Sequence, residues 1–456
     1  MTMLGPRVVI AGTHSGVGKT TVATGLMAAF RTAGRRVGAA KVGPDFIDPG
    51  YHGLAAGRHS RNLDPWMSGL DSMASFAGRA GADTDICIIE GVMGLFDGAA
   101  DGTPSSTADV ATAIDAPVLL VVDASSMSRS VAALVHGFAT FDPHVELAGL
   151  ILNRVGSPGH AEMLLGALAP LGIPVVGMIG RDDRLRWRDR HLGLVPVAES
   201  GAALRGSIDR LGARVAEACD LEQIESIAAA APRRVVDAPT LPEPVGSVRI
   251  AIAAGRAFSF TYQDNLEMLE AAGAELVPFD PCVDRHLPPD CRGLIAGGGF
   301  PEVYAEQLSE NTTLLDDLRS QVQAGLATWA ECGGLLWLCR SLGGRDLAGA
   351  IDARATMTDR LTLGYRTAVT AAPSPLGAAG TTFRGHEFHY STVAPAGRLL
   401  TLSGRHGTST DGFGHARMLA SYVHVHLGNR PDLARAFVGT CRSDPPIDAL
   451  PYLCPT

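Results

Sequence analysis

Short apolar runs alternate with helical stretches from the beginning of the chain. Val8–Ala11 is followed by a helical stretch over Thr20–Ala33 and by a second run at Val37–Val42. Further runs lie at Ile86–Ile89, Val118–Val122 and Gly149–Leu152. Alternation of this kind predicts a parallel α/β sheet. Over Ala228–Gly246 the pattern fails, because prolines and glycines punctuate a stretch without any apolar period, which marks a linker. The pattern then restarts with Val248–Ala253, an amphipathic segment Asp264–Ala272, Leu276–Pro278, Leu294–Ala296 and Leu326–Ala330. The expected fold class is therefore α/β with two domains, residues 1–235 and 247–456.

Composition sharpens this picture. The chain is 46% apolar but only 5% aromatic, with 54 glycines, so its cores must rest on Ala, Val, Leu and Ile. The net charge of -9, with no long block of one sign, gives no footprint for nucleic acid or an anionic membrane surface. No apolar stretch approaches the roughly 20 residues needed to span a bilayer, and Arg7–Ala11 reads as a first strand rather than a leader. Eight cysteines are scattered without a C-x-x-C pair, which fits a reducing cytoplasm better than a zinc or disulfide framework. The sequence leaves a homodimer open.

The first candidate for chemistry is Gly12-Thr13-His14-Ser15-Gly16-Val17-Gly18-Lys19-Thr20-Thr21, between a predicted strand and a predicted helix. Glycines let successive backbone N–H groups converge on a phosphate at a helix N-terminus; Lys19 would reach the terminal phosphates and Thr20 would hold Mg²⁺. The usual spacing requires glycine where this chain has Thr13, so this is a variant loop beginning at Gly12. Partition-type ATPases with deviant loops carry a signature lysine where this chain has His14, which argues against that group.

Acidic residues are predicted close to that loop. Lys41, Asp45 and Asp48 lie in KVGPDFIDPGYH just after the second strand, at the carboxyl end where open α/β sheets bind ligands. Glu90 closes another strand in EGVMGLFDG, where a carboxylate binds Mg²⁺ directly or through water, and Asp97 follows in the same motif. Positive groups and a metal around transferring phosphate are what phosphoryl transfer requires.

In the second domain, Leu326–Leu338 reads as strand, sharp turn and helix with Cys332 at the turn, a nucleophile elbow carrying sulfur. Gly297-Gly298-Gly299 follows another strand, and its N–H groups together with that of Gly333 would form an oxyanion hole. The base is sought in Ser421–His426, predicted as one strand whose two histidines share a face. His424 is favoured as base and His426 as its orienting partner, with the reverse, or a plain packing role, left open. His386 and His389 form a further polar cluster.

Taken in order, GTHSGVGKTT, KVGPDFIDPGYH, EGVMGLFDG, LILNRV, GGGFPE, AECGG, RGHEFHYS and SYVHVH resemble the cobyrinate (hydrogenobyrinate) a,c-diamide synthase family nearly end to end. The resemblance implies an N-terminal P-loop parallel-sheet ATPase domain, like dethiobiotin synthetase, and a C-terminal class I glutamine amidotransferase-like domain. It implies ATP and Mg²⁺ as cofactors, a corrinoid and glutamine as substrates, and amidation of the a and c acetates in cobalamin biosynthesis through acyl phosphates. By the same resemblance Lys19, Thr20, Asp45 and Glu90 are nucleotide and Mg²⁺ ligands, and Asp48 and Asp97 are corrin-side or acyl-transfer residues. Lys41, Phe46 and Ile47 belong to the substrate loop, Asn153 contacts adenine, and Cys332 with His424 is the glutaminase pair. In ordinary class I amidotransferases glutamate stands two residues after the histidine, where this chain has His426.

Overall fold

A computed structural model describes residues 1–181, 201–405 and 407–444, with backbone only at 201–203. Cys454 lies outside the described residues. The chain divides into two compact units, Met1–Pro239 and Thr240–Thr456. The first unit runs past residue 235 because Arg234–Val236 pairs antiparallel with Thr2–Leu4 and belongs to it.

The first unit is built on a seven-stranded sheet in the order Arg61–Leu63, Val37–Val42, Ile86–Glu90, Arg7–Gly12, Val118–Asp123, Leu147–Val155, Val175–Gly180. All its pairings are parallel. The central strand explains why the sequence shows unbroken apolar runs: Val8 and Ile10 pack into one core with the helix Lys19–Thr32, while Val9 and Ala11 face the other. A strand covered on both faces has no solvent side on which polar residues could alternate. Consequently the carboxyl ends of neighbouring strands deliver the phosphate loop, Lys41 and Glu90 to one edge.

In the second unit, Ala274–Phe279, Val248–Ala253, Gly293–Ala296, Ala327–Glu331 and Met418–Ser421 lie side by side in parallel, and Phe413–His415 adds an antiparallel edge. A second sheet centres on Ile351–Thr370 paired antiparallel with Thr382–Ala394, a feature the sequence pattern did not reveal. The segment Ser421–His426 is not one strand. The parallel strand ends at Ser421, and His424–Val425 pairs with Gly385 and His386 of the antiparallel sheet. Asp411 accepts the Tyr422 N–H at 2.8 Å and the Ser421 hydroxyl accepts that of Val423 at 3.3 Å, so side chains serve the backbone where the chain changes sheets. No helix among the described residues is long and apolar enough to cross a membrane.

Candidate active sites

The phosphate loop leaves its strand at Gly12 and enters the helix at Lys19. Gly18 has φ +100°, and a Cβ there would stand 2.3 Å from the Asn153 side-chain nitrogen, so this position needs glycine on two counts. Asn153 donates to the Val17 carbonyl at 2.8 Å and accepts the Arg154 N–H at 2.9 Å, which places its amide as a brace under the loop. Thr13 donates its N–H to Val121, Val17 is fully buried, and Gly16 and Thr21 flank these anchors. Lys19 Nζ donates to the carbonyls of His14 and Met93. Burial, followed by the nearby charge of Lys41, lowers the Lys19 ammonium to about 8.

Beside it lies a buried polar cluster. Thr20 Oγ1 donates to Glu90 Oε1 at 2.7 Å, and Lys41 Nζ lies 3.1 Å from the same oxygen and 3.2 Å from Asp48 Oδ2. His52 Nε2 meets Glu90 Oε2 at 2.6 Å. Burial opposes charge on Glu90, but Lys41, His52 and Thr20 override it and hold the carboxyl below its ordinary value. Burial and the charges of Glu90 and Asp45 push Asp48 the other way. For Lys41 the two carboxylates outweigh desolvation and keep the ammonium charged.

The sequence placed Asp45 with the metal ligands and Asp48 with the substrate. In the structure Asp48 reaches the Thr20–Glu90 pair, while Asp45 Oδ1 accepts the N–H groups of Ile47 and Asp48 at 2.7 and 3.0 Å and caps the helix Ile47–Ala56. Phe46 and Ile47 are half-exposed at the mouth of that helix. Asp97 accepts the Gly94 N–H at 2.9 Å and is among the charges that act on Lys19. Sequence reasoning missed His52, although it stands at the end of KVGPDFIDPGYH, one helical turn after Asp48.

In the second unit, Cys332 joins the strand Ala327–Glu331 to the helix Gly333–Leu338 with φ 47°, a left-handed conformation that a non-glycine residue adopts at a cost. Its N–H donates to Ser421 O at 2.8 Å, and its thiol lies 3.9 Å from Phe388 O. His424 faces Glu331, whose Oε2 lies 3.5 Å from Nδ1, and the Cys332 thiol acts on the same ring. Burial pulls the imidazole down, yet Cys332 and Glu331 beside it favour the charged ring and raise it to about 10. A Cβ on Gly298 would stand 2.5 Å from His424 Cε1, so that ring requires the glycine. One on Gly333 would lie 3.1 Å from Gly299 N, which brings both backbone segments of the expected oxyanion hole together.

His426 is engaged elsewhere. Its Nε2 is 3.9 Å from Asp264 Oδ2, its ring lies against Tyr262, and its Nδ1 accepts the Gly428 N–H at 3.2 Å. The sequence treated the two histidines as neighbours on one strand; the change of sheet between Ser421 and His424 removes that basis. His389 stacks on Tyr422 with ring centroids 3.6 Å apart, and Arg366 pairs with Glu387 at 2.6 Å. Sequence reasoning did not single out Glu331, although AECGG places a carboxylate immediately before the thiol.

Fold and sites together define a two-domain ligase of the P-loop and glutamine amidotransferase type. Residues 8–195 match the family model of a CobQ/CobB/MinD/ParA nucleotide binding domain, and residues 249–432 match that of a CobB/CobQ-like glutamine amidotransferase domain. A hydrogenobyrinate a,c-diamide synthase of Streptomyces coelicolor is 46% identical over 96% of this chain and 98% of its own. A cobyrinate a,c-diamide synthase of Synechococcus is 40% identical over 95% of this chain and 98% of its own. The chain belongs to the cobyrinate/hydrogenobyrinate a,c-diamide synthase family.

Proposed function

We propose that this chain uses ATP and glutamine to convert the a and c acetates of cobyrinate or hydrogenobyrinate to amides. The observation that carries the reading is the Cys332–His424 pair at a strained elbow, in a chain whose other unit holds a phosphate loop beside Lys41, Asp48 and Glu90.

In the glutaminase half, the Cys332 sulfur attacks the glutamine carboxamide carbon and the His424 imidazolium gives its proton to the departing ammonia. Water then releases glutamate from the thioester. The N–H groups of Gly299 and Gly333 are suited to stabilise the oxyanion. In the other half, an acetate oxygen attacks the γ-phosphorus of ATP and ADP leaves. Ammonia next attacks the acyl carbon and phosphate departs, a far better leaving group than the oxide of a bare carboxylate.

Lys19 and the loop N–H groups would hold the phosphates, with Asn153 bracing the loop on the nucleotide side. The Thr20 hydroxyl and the carboxylates of Glu90 and Asp48 are hard oxygen donors of the kind Mg²⁺ takes, and the ion would neutralise phosphate charge. Asp45, Phe46, Ile47 and Asp97 are assigned to the rim facing the acetate. All seven described cysteines are free thiols, which suits a cytoplasmic enzyme.

The test is to incubate the protein with ATP, Mg²⁺, glutamine and either corrinoid and to read product masses. Two carboxyl-to-amide conversions are expected, and no mass change with either corrinoid overturns the reading.

A further inference from the structure

We propose that Glu331 is the positioning residue of the glutaminase, taking the place of the glutamate that ordinary class I amidotransferases carry two residues after the histidine. The inference deepens the proposed reading of Cys332 and His424 and rests on it. Glu331 is the last residue of its strand, and Cys332 turns the chain sharply after it, so carboxylate and thiol can approach the imidazole from different sides. The two carboxylate oxygens have separate partners. Oε1 accepts the Val425 N–H at 3.0 Å, gripping the backbone beside His424, and Oε2 faces His424 Nδ1 at 3.5 Å.

Only 9% of the Glu331 side chain and 1% of that of His424 is exposed, so little water intervenes to weaken the attraction. A carboxylate at Nδ1 retains the proton on that nitrogen and turns Nε2 toward the thiol, and it stabilises the imidazolium that accompanies a thiolate.

The other charged groups around the ring do not compete for this role. Burial lowers His386, in register with His424 on the neighbouring strand, to about 3 and His389 to about 4, so both are neutral at pH 7. Glu387 is held by Arg366 at 2.6 Å. His426, the residue at the usual position, lies against Asp264 and Tyr262.

The experiment compares Glu331→Gln, Glu331→Asp and Cys332→Ala in the full chain. It reads glutamine hydrolysis, the pH profile of thiol alkylation by iodoacetamide, and amidation supported by free ammonia, which bypasses the thiol. Glu331→Gln keeps an oxygen for the Val425 N–H but offers an NH₂ to Nδ1. It is expected to lower kcat for glutamine hydrolysis by roughly 10²-fold or more with KM little changed, following the logic of an amide in place of a triad carboxylate. The alkylation profile should move to higher pH, because the imidazolium loses its counter-charge. Ammonia-supported amidation should persist, and Glu331→Asp should recover part of kcat and the original profile.

Wild-type kcat and profile in Glu331→Gln, or a loss confined to KM, overturns the positioning role. Should Glu331→Gln not fold, Glu331→Asp decides: a partial loss of kcat at unchanged KM supports the role, and wild-type kcat, or a loss confined to KM, overturns it. Hydrolysis that survives in Cys332→Ala overturns instead the underlying glutaminase reading.

Discussion

His52 Nε2 and Glu90 Oε2 lie 2.6 Å apart, with 0% and 1% of their side chains exposed. The imidazole thus fixes one carboxylate oxygen while Thr20 and Lys41 share the other. Under the Mg²⁺ role proposed for Glu90, a group that orients the carboxylate matters by about 10- to 100-fold in affinity or activity. Replacing His52 by Ala should lower ATP-dependent amidation by about that factor while leaving glutamine hydrolysis intact. Parallel assays of ADP formation and glutamate release check this; an equal fall in both would point to global damage.

Lys41 neutralises Glu90 and Asp48 in a setting where 5% or less of its side chain is exposed. Lys41→Met leaves two buried carboxyls without their cation, and breaking such a pair costs about 3–5 kcal/mol. The unfolding free energy of the first unit should fall by that amount, which moves its transition to lower denaturant. An unshifted transition in a denaturant titration would show that the cluster is better hydrated than its burial implies.

Gly298 is tied to His424 by space alone, since an added methyl would stand 2.5 Å from Cε1. In Gly298→Ala the ring must move from the thiol, and a displacement of this size costs about 10²-fold in a reaction that depends on positioning. Glutamine-dependent amidation should fall accordingly and ammonia-dependent amidation should not. Steady-state rates with the two nitrogen donors measure the contrast.

Acid should loosen the second unit. Burial lowers His386 to about 3 and His389 to about 4, whereas an unfolded imidazole titrates near 6.5. Between these values the unfolded chain binds more protons, so stability falls as pH drops below about 6.5. By pH 5 the loss should be on the order of 2 kcal/mol per imidazole. Denaturation of wild type and His386→Phe at pH 7 and pH 5 tests this, since the variant should lose less stability on acidification.

Much of the fold was legible because a strand covered on both faces must be apolar throughout; Val8–Ala11 and Val118–Val122 therefore stood out. The long pair Ile351–Thr370 and Thr382–Ala394 escaped because one side is widely exposed and its composition is mixed. Ser421–His426 was misread as one strand because β-propensity does not say which sheet receives a segment. His52 and Glu331 sat in motifs already singled out, yet only the fold shows which carboxylate meets which imidazole.

The sequence by itself determined the two α/β units, the phosphate loop at Gly12–Thr21, the thiol at Cys332 and the family, because these depend on local chain geometry and on residue order. Tertiary structure alone decided that Asp48 joins Thr20 and Glu90 while Asp45 caps a helix, and that Glu331 rather than His426 faces His424. Those partnerships are set by where separate strand ends and crossovers converge, and contact across long sequence separation leaves no mark in spacing.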